Sequence, residues 1–143
     1  MKEPPRLVNS AIDPGEVLLS VRDASAGGTV IFIGSIRNNN EGRLVEGLEY
    51  EVYKKMAEKK MLEIEARVRK KWPVKRIRLV HRFGKLKVGE ISVAVAVSCE
   101  HRKEAFEACR FAIDVIKRTL PLWKKEKTKG REGSWIEGSP IGT

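Results

Sequence analysis

The sequence predicts an α+β fold, with helices packed on a largely antiparallel, mixed sheet. Three observations support this. Two long stretches, about 54 to 72 and 101 to 120, repeat apolar residues at three- and four-residue spacing. Several short runs are rich in Val and Ile or alternate apolar with polar residues. Both tight glycine turns and helices connect those runs, so no regular strand–helix alternation is present.

The elements follow in order. Asp13-Pro14-Gly15-Glu16 reads as a helix start: Asp caps, Pro takes the first position and Glu completes a capping box. That helix runs through Val17, Leu18 and Val21 and should end near Ala26-Gly27-Gly28. Thr29 to Ile33 reads as a buried strand, and Arg37 to Gly42 as a polar loop with a flexible Asn38-Asn39-Asn40 turn. Leu44 to Tyr53 is a second strand. The first long helix then places Ala57, Met61, Ile64, Val68 and Trp72 on one side, and Pro73 ends it. Lys75 to Phe83 alternates Arg76 and Arg78 with Ile77 and Leu79, as a half-exposed strand does. Gly84 and Gly89 bracket a turn, and Ile91 to Ser98 is a Val/Ala strand. The last helix buries Ala105, Cys109, Ala112, Ile113, Ile116 and Leu120, and Pro121 stops it. A short strand near Trp135-Ile136 follows the Gly130–Gly133 turn.

A length of 143 residues suits one domain, 1–143, with 41% apolar residues to fill a core. The net charge of +10 predicts an anionic partner, although solvated lysine-rich helix faces also account for much of it. No apolar run approaches the ~20 residues of a membrane span. The N-terminus MKEPPRLVNS lacks a signal-peptide core, so a cytoplasmic protein without membrane contact is expected. Cys99 and Cys109 have no metal-ligand spacing and read as buried small hydrophobes, so neither a metal nor a cofactor is expected. The absence of Gln beside abundant Lys, Arg and Glu is a bias of heat-adapted proteins and carries no functional information.

The chemistry gathers near the end of the last helix. Lys117 lies in its final turn, and Lys124 follows the rigid Leu120-Pro121-Leu122-Trp123 segment. Lysines there favour the negative end of the helix dipole, which is a purely structural role. Flanking a rigid turn, they can equally hold a carboxylate or phosphate and supply an amine. Lys125 and Lys127 face the other side of an extended strand from Lys124. Arg37, just past a strand end, can fork onto a phosphate or paired carbonyl oxygens, or simply be a surface loop residue. A histidine at a helix start, as at His101, is usually structural. Arg102 at the positive end of a helix dipole is electrostatically odd, which suits an anion site.

Four ordered stretches resemble the large, catalytic subunit of molybdopterin synthase: GTVIFIGSIRNNNEG, VEGLEYEVYKKMA, VHRFGKLKVGEISVAVAVSCEHRKEAFEACRFAIDVIK, and PLWKKE followed by GSW. The resemblance runs from about Gly28 to Trp135. It implies an α/β-hammerhead-like fold and a homodimer within a heterotetramer. A small ubiquitin-like sulfur-carrier subunit ending in Gly-Gly would bind at each outer end. The implied reaction moves sulfur from that partner's C-terminal thiocarboxylate to cyclic pyranopterin monophosphate, building the dithiolene of molybdopterin. Lys117 and Lys124 match the family's catalytic lysines, and Arg37, His101 and Arg102 its substrate-binding residues. Phe32 matches an aromatic beside the pocket, Glu126 a carboxylate near the second lysine, and His81-Arg82 a pair that serves fold and interface. One departure stands out: no arginine follows Trp135, so either another basic residue such as Arg131 substitutes or the phosphate is held by fewer contacts.

Helix geometry adds an independent argument. His101 and Lys117 are 16 positions apart, or ~24 Å along one straight helix. One small substrate cannot touch both within one subunit, so a shared site needs a second copy. Two rival readings are a basic nucleic-acid-binding module and a noncatalytic adaptor for a ubiquitin-like protein. The few aromatics are not interleaved with the Arg69-Lys70-Lys71 and Arg76/Arg78 stretches, which disfavours nucleic acid. The Lys117/Lys124 pair argues against the adaptor.

Overall fold

The structure, a computed structural model, describes residues 4–128, 131–133 and 135–137. The elements are β1 (Leu7–Val8), α1 (Pro14–Ser20), β2 (Gly28–Ser35), β3 (Asn39–Asn40), β4 (Arg43–Leu44), β5 (Gly47–Val52), α2 (Lys54–Lys71), β6 (Val74–Arg82), β7 (Gly84–Lys87), β8 (Ile91–Cys99), α3 (Arg102–Thr119), β9 (Leu122–Thr128), β10 (Arg131–Glu132) and β11 (Ile136–Glu137). The α+β class is as expected, but the strands form two main sheets. One has the order β1-β6-β8-β2; the other has β10-β9-β5-β7, with β11 also on β9. Among the described residues only β1–β6 is a parallel pair.

Strand β8 is the spine of the first sheet. Its residues from Ser92 to Cys99 are all buried, because α2 and α3 cover one face and α1 the other. Val93, Val95 and Val97 face the helix pair, while Ala94 and Ala96 face Val17 of α1 and Val21 just beyond it. The stripe Ala105, Ala108, Cys109 and Ala112 lets α3 approach β2 and β8 closely. Both cysteines are buried and free, and burial pushes the Cys109 thiol up to about 11, so neither is a thiolate near neutrality.

Several local readings hold. Asp13 caps α1 through bonds from the Gly15 and Glu16 amides, although the helix stops at Ser20 rather than near Gly27. Helix α2 buries Ala57, Met61, Ile64 and Val68 and ends before Pro73, and α3 ends before Pro121. Others need correction. β2 is an edge strand rather than a buried one, and Ile33 is 39% exposed. β6 is covered on both faces from Ile77 to His81, not half-exposed. The turn expected between Gly84 and Gly89 contains β7, and the Asn turn belongs to the β3–β4 hairpin.

The N-terminal segment explains the covering of β6. Buried Arg78 donates to the Pro4 carbonyl, and Arg6 clasps the fully buried Glu65 of α2 at 2.9 and 2.8 Å. A carboxylate without exposure is costly unless paired, so this bidentate clasp fixes α2 against β1. Replacing Arg6 by Ala leaves the Glu65 charge with only Arg69, 3.9 Å away, and should cost about 3 kcal/mol. Urea unfolding of Arg6→Ala and of Arg6→Ala/Glu65→Leu checks this: the second change should recover most of the loss, and equal midpoints for wild type and Arg6→Ala would refute the clasp.

Candidate active site

The cleft of interest lies where the two sheets meet. Sequence alternation on β9 puts Leu122, Lys124 and Glu126 on one face and Trp123, Lys125 and Lys127 on the other. Lys124 is opposite Tyr50 of β5, and Glu126 is opposite Leu48. On the first sheet, β2 passes a register shift at Gly34/Ser35 and delivers Arg37 to the same place. A cleft of about 30 Å³ is lined by Ser35, Ile36, Arg37, Asn39, Asn40, Val45, Leu48, Tyr50, Lys124 and Glu126. The structure thus brings together Arg37, which is exposed, and Lys124, which is half-buried.

Glu126 does not pair with Lys124. Its carboxylate accepts from Asn40 Nδ2 at 2.8 Å and faces Arg43 at 3.6 Å, which pins the β3–β4 hairpin over β9. The Asn run is therefore ordered by this chain's own carboxylate. The hairpin tip uses Glu41 and Gly42 at positive φ, and the Asn39 side chain accepts from the Gly42 amide. Lys125 and Lys127 line a larger groove of about 670 Å³ with Glu49, Arg82 and Glu90, which Leu48 and Glu126 also border.

The other expected residues fall elsewhere. Lys117 is half-buried in the last turn of α3 and does not line the cleft. His101 is the N-cap residue of α3, exposed, with Nε2 3.6 Å from Glu100. His101 and Arg102 line an open hollow of about 470 Å³ with Gly27, Glu100 and Lys103. This hollow abuts the start of β2: a Cβ on Gly28 would lie 2.9 Å from Arg102 Cα. Phe32 packs into the core below α3. The side chain of Arg131 lies outside the described residues.

Under the cleft lies a polar group that sequence reasoning did not single out. Tyr50 is 2% exposed, burial raises its hydroxyl well above the ordinary range, and its ring meets His81 edge-on at 5.3 Å. Alternation with Leu48 and Val52 marked Tyr50 as inward-facing, and a buried tyrosine hydroxyl needs a partner. His81 Nδ1 is 2.8 Å from the Arg82 carbonyl, and Nε2 has no partner among the described residues.

An α+β protein with a cation-bearing cleft at the junction of two sheets and a second basic hollow at the other end of one strand is the class these features define. The MoaE protein family model matches residues 7–119, and the chain belongs to that family. The molybdopterin synthase catalytic subunit of Pyrococcus abyssi is 45% identical over 123 residues, covering 86% of this chain and 82% of the relative. The crystal structure of molybdopterin synthase from Staphylococcus aureus superposes with a TM-score of 0.87 at 36% identity, over 95% of this chain and 98% of that one. A complex of subunits 1 and 2 of the molybdopterin-converting factor from Helicobacter pylori shares the fold, with a TM-score of 0.74 at 19% identity over 89% of this chain and 86% of that one. Among the described residues no helix is long and apolar enough to cross a membrane, and no His/Cys/Asp/Glu group could hold a metal.

Burial lowers the His81 pKa from 6.5 to about 4, so the folded state carries it neutral. The unfolded chain binds that proton below about 6.5, so stability should fall as pH drops from 6.5 towards 4, by about 3 kcal/mol at most. Unfolding of wild type and His81→Phe between pH 7 and 4 tests this. The variant should lose less stability over that window; parallel losses would show that His81 is not the linked group.

Proposed function

We propose that this chain is the catalytic subunit of a molybdopterin synthase. It takes sulfur from the C-terminal thiocarboxylate of a small ubiquitin-like subunit and transfers it to cyclic pyranopterin monophosphate, forming the dithiolene. The observation that carries the reading is the convergence of Arg37 and Lys124 in one cleft of a MoaE-family chain. The Helicobacter pylori complex of two converting-factor subunits favours a small partner.

The cleft is small, about 30 Å³, so a bulky side chain would be poorly accommodated at its entrance. A Gly-Gly tail offers only backbone, which suits a narrow entrance. Lys124 would receive the terminal thiocarboxylate as an ion pair, and Lys117 would approach from the end of α3. The pterin would lie across the mouth of the cleft, with its phosphate or carbonyl oxygens against the Arg37 guanidinium.

His101 and Arg102 would come from a second copy. Among the described residues β2 pairs only with β8, and its outer edge carries no charged residue from Gly28 to Ile36. Soluble proteins usually guard such an edge with charge or proline, or cover it. Pairing two β2 edges antiparallel about a two-fold axis would cover both. It would also bring the Gly28 end of one copy, with His101 and Arg102, to the Arg37 end of the other. The split of the expected residues between the two ends of one strand supports this composite site.

Sulfur-transfer turnover tests the reading. Lys117→Ala and Arg102→Ala should each be nearly inactive while remaining folded. Mixed after chain exchange, they form heterodimers with one doubly defective and one intact site, so about a quarter of wild-type sites should return. Near-normal turnover by Lys117→Ala and Lys124→Ala would refute the lysine assignment. No recovery on mixing, with exchange demonstrated, would refute the composite site.

A further inference from the structure

We propose that the pocket at the end of β5 is a binding site for an organic cation, an alkylated ammonium head group, held by the rings of Tyr53, Trp123 and Trp135 and the Glu51 carboxylate. The site is separate from the cleft of Arg37 and Lys124 and does not rest on the function proposed for it.

The pocket has a volume of about 290 Å³ and is lined by Glu51, Val52, Tyr53, Trp123 and Trp135. Two of the chain's three tryptophans and one of its two tyrosines therefore gather at one place. The fold draws them from three segments. Trp123 is the register partner of Glu51 on β5 and of Glu137 on β11, so β9 carries it between those two strands. Trp135 immediately precedes β11, and Tyr53 joins β5 to α2 as the N-cap residue of the helix. Strand alternation turns Trp123 away from Lys124, and the pocket shares no lining residue with the cleft.

Packing does not account for the cluster. Val52 packs against the core, but Tyr53 and Trp135 are 59% and 39% exposed. Tyr53 makes no side-chain cap bond to α2 either. Rings grouped in water around a hollow form apolar surface that a ligand would cover. Among the described residues Glu51 is the one charged side chain that lines the pocket, and its exposed carboxylate has no ion-pair or hydrogen-bond partner. Ring faces are negative, so three rings and a carboxylate attract a cation and repel an anion, against the overall charge of +10. The Trp135 indole already takes one cation: Lys125 Nζ lies 4.6 Å from its centroid, and Lys125 does not line the pocket. A hard metal ion needs several oxygen ligands, which one carboxylate does not supply. A primary ammonium holds its water strongly, whereas an alkylated one presents methyl groups to the rings and keeps its charge.

The test is a titration of the full chain with choline, followed by the indole N–H signals in the NMR spectrum. The Trp123 and Trp135 signals should shift and saturate with a Kd on the order of millimolar. Trp72, which packs on Phe111 elsewhere, should stay in place. Dimethylbutanol, the uncharged isostere with carbon in place of nitrogen, should bind at least about tenfold more weakly. Glu51→Gln, at an exposed position that leaves the fold intact, should weaken choline by about tenfold. Trp135→Ala should abolish the Trp123 shift. A short peptide carrying trimethyl-lysine separates the two sources of such a head group. Binding about tenfold or more tighter than choline would assign the site to a methylated protein side chain, and equal or weaker binding to a free small molecule. Equal affinity for choline and its isostere, unchanged affinity in Glu51→Gln, or shifts at Trp72 as large as at Trp123 and Trp135 would each overturn the inference.

Discussion

The burial of β8 on both faces is the constraint on which the rest of the molecule depends. An unbroken Val/Ala/Ser strand can be satisfied only with a strand on each side and a helical layer above and below. β2 and β6 supply the strands, α2 and α3 one layer, and α1 the other. Its length also sets where chemistry can occur. His101 stands just past the Cys99 end of β8, and Arg37 lies past the opposite end, on the neighbouring strand. One molecule therefore holds two basic regions that it cannot bring together by itself.

The second sheet contributes the other half of the cleft. Its inner face carries Leu48, Tyr50 and Leu122, so it docks on the same core, and Lys124 and Glu126 continue that face to where the core ends. An apolar strand face that runs out into two charged residues is a direct way to place a lysine at a rim. Glu126 holds the hairpin through Asn40 and Arg43 rather than pairing with Lys124. Two sheets meeting at an angle leave a seam, and the seam is where a chain terminus could enter.

Much of this architecture was legible in the sequence. Helix periodicity, with Pro14, Pro73 and Pro121 as punctuation, set the three helices to within a few residues, apart from the late end assigned to α1. The ordered motifs pointed to the family that the comparisons establish. The facing of Lys124 against Lys125 and Lys127 followed from strand alternation alone. What was not legible depends on partners far away in the chain. Arg78 alternates like an exposed residue, but the Pro4 carbonyl, 74 positions away, takes its guanidinium. Glu65 looks like one charge among many on α2 until Arg6 meets it. Asn40 reads as a turn residue until Glu126, 86 positions later, fixes it. The edge status of β2 was hidden because an apolar strand reads the same with one neighbour or two.

The central claim is that the seam beside Arg37 and Lys124 receives the terminus of a partner protein. Calorimetric titration with a ubiquitin-like partner, intact and lacking its last two glycines, tests it most directly. The account predicts that truncation sharply weakens binding and that added salt weakens the intact partner more than the truncated one. Equal affinity of the two forms at every salt concentration would contradict it, because the tail would then have no place in the cleft.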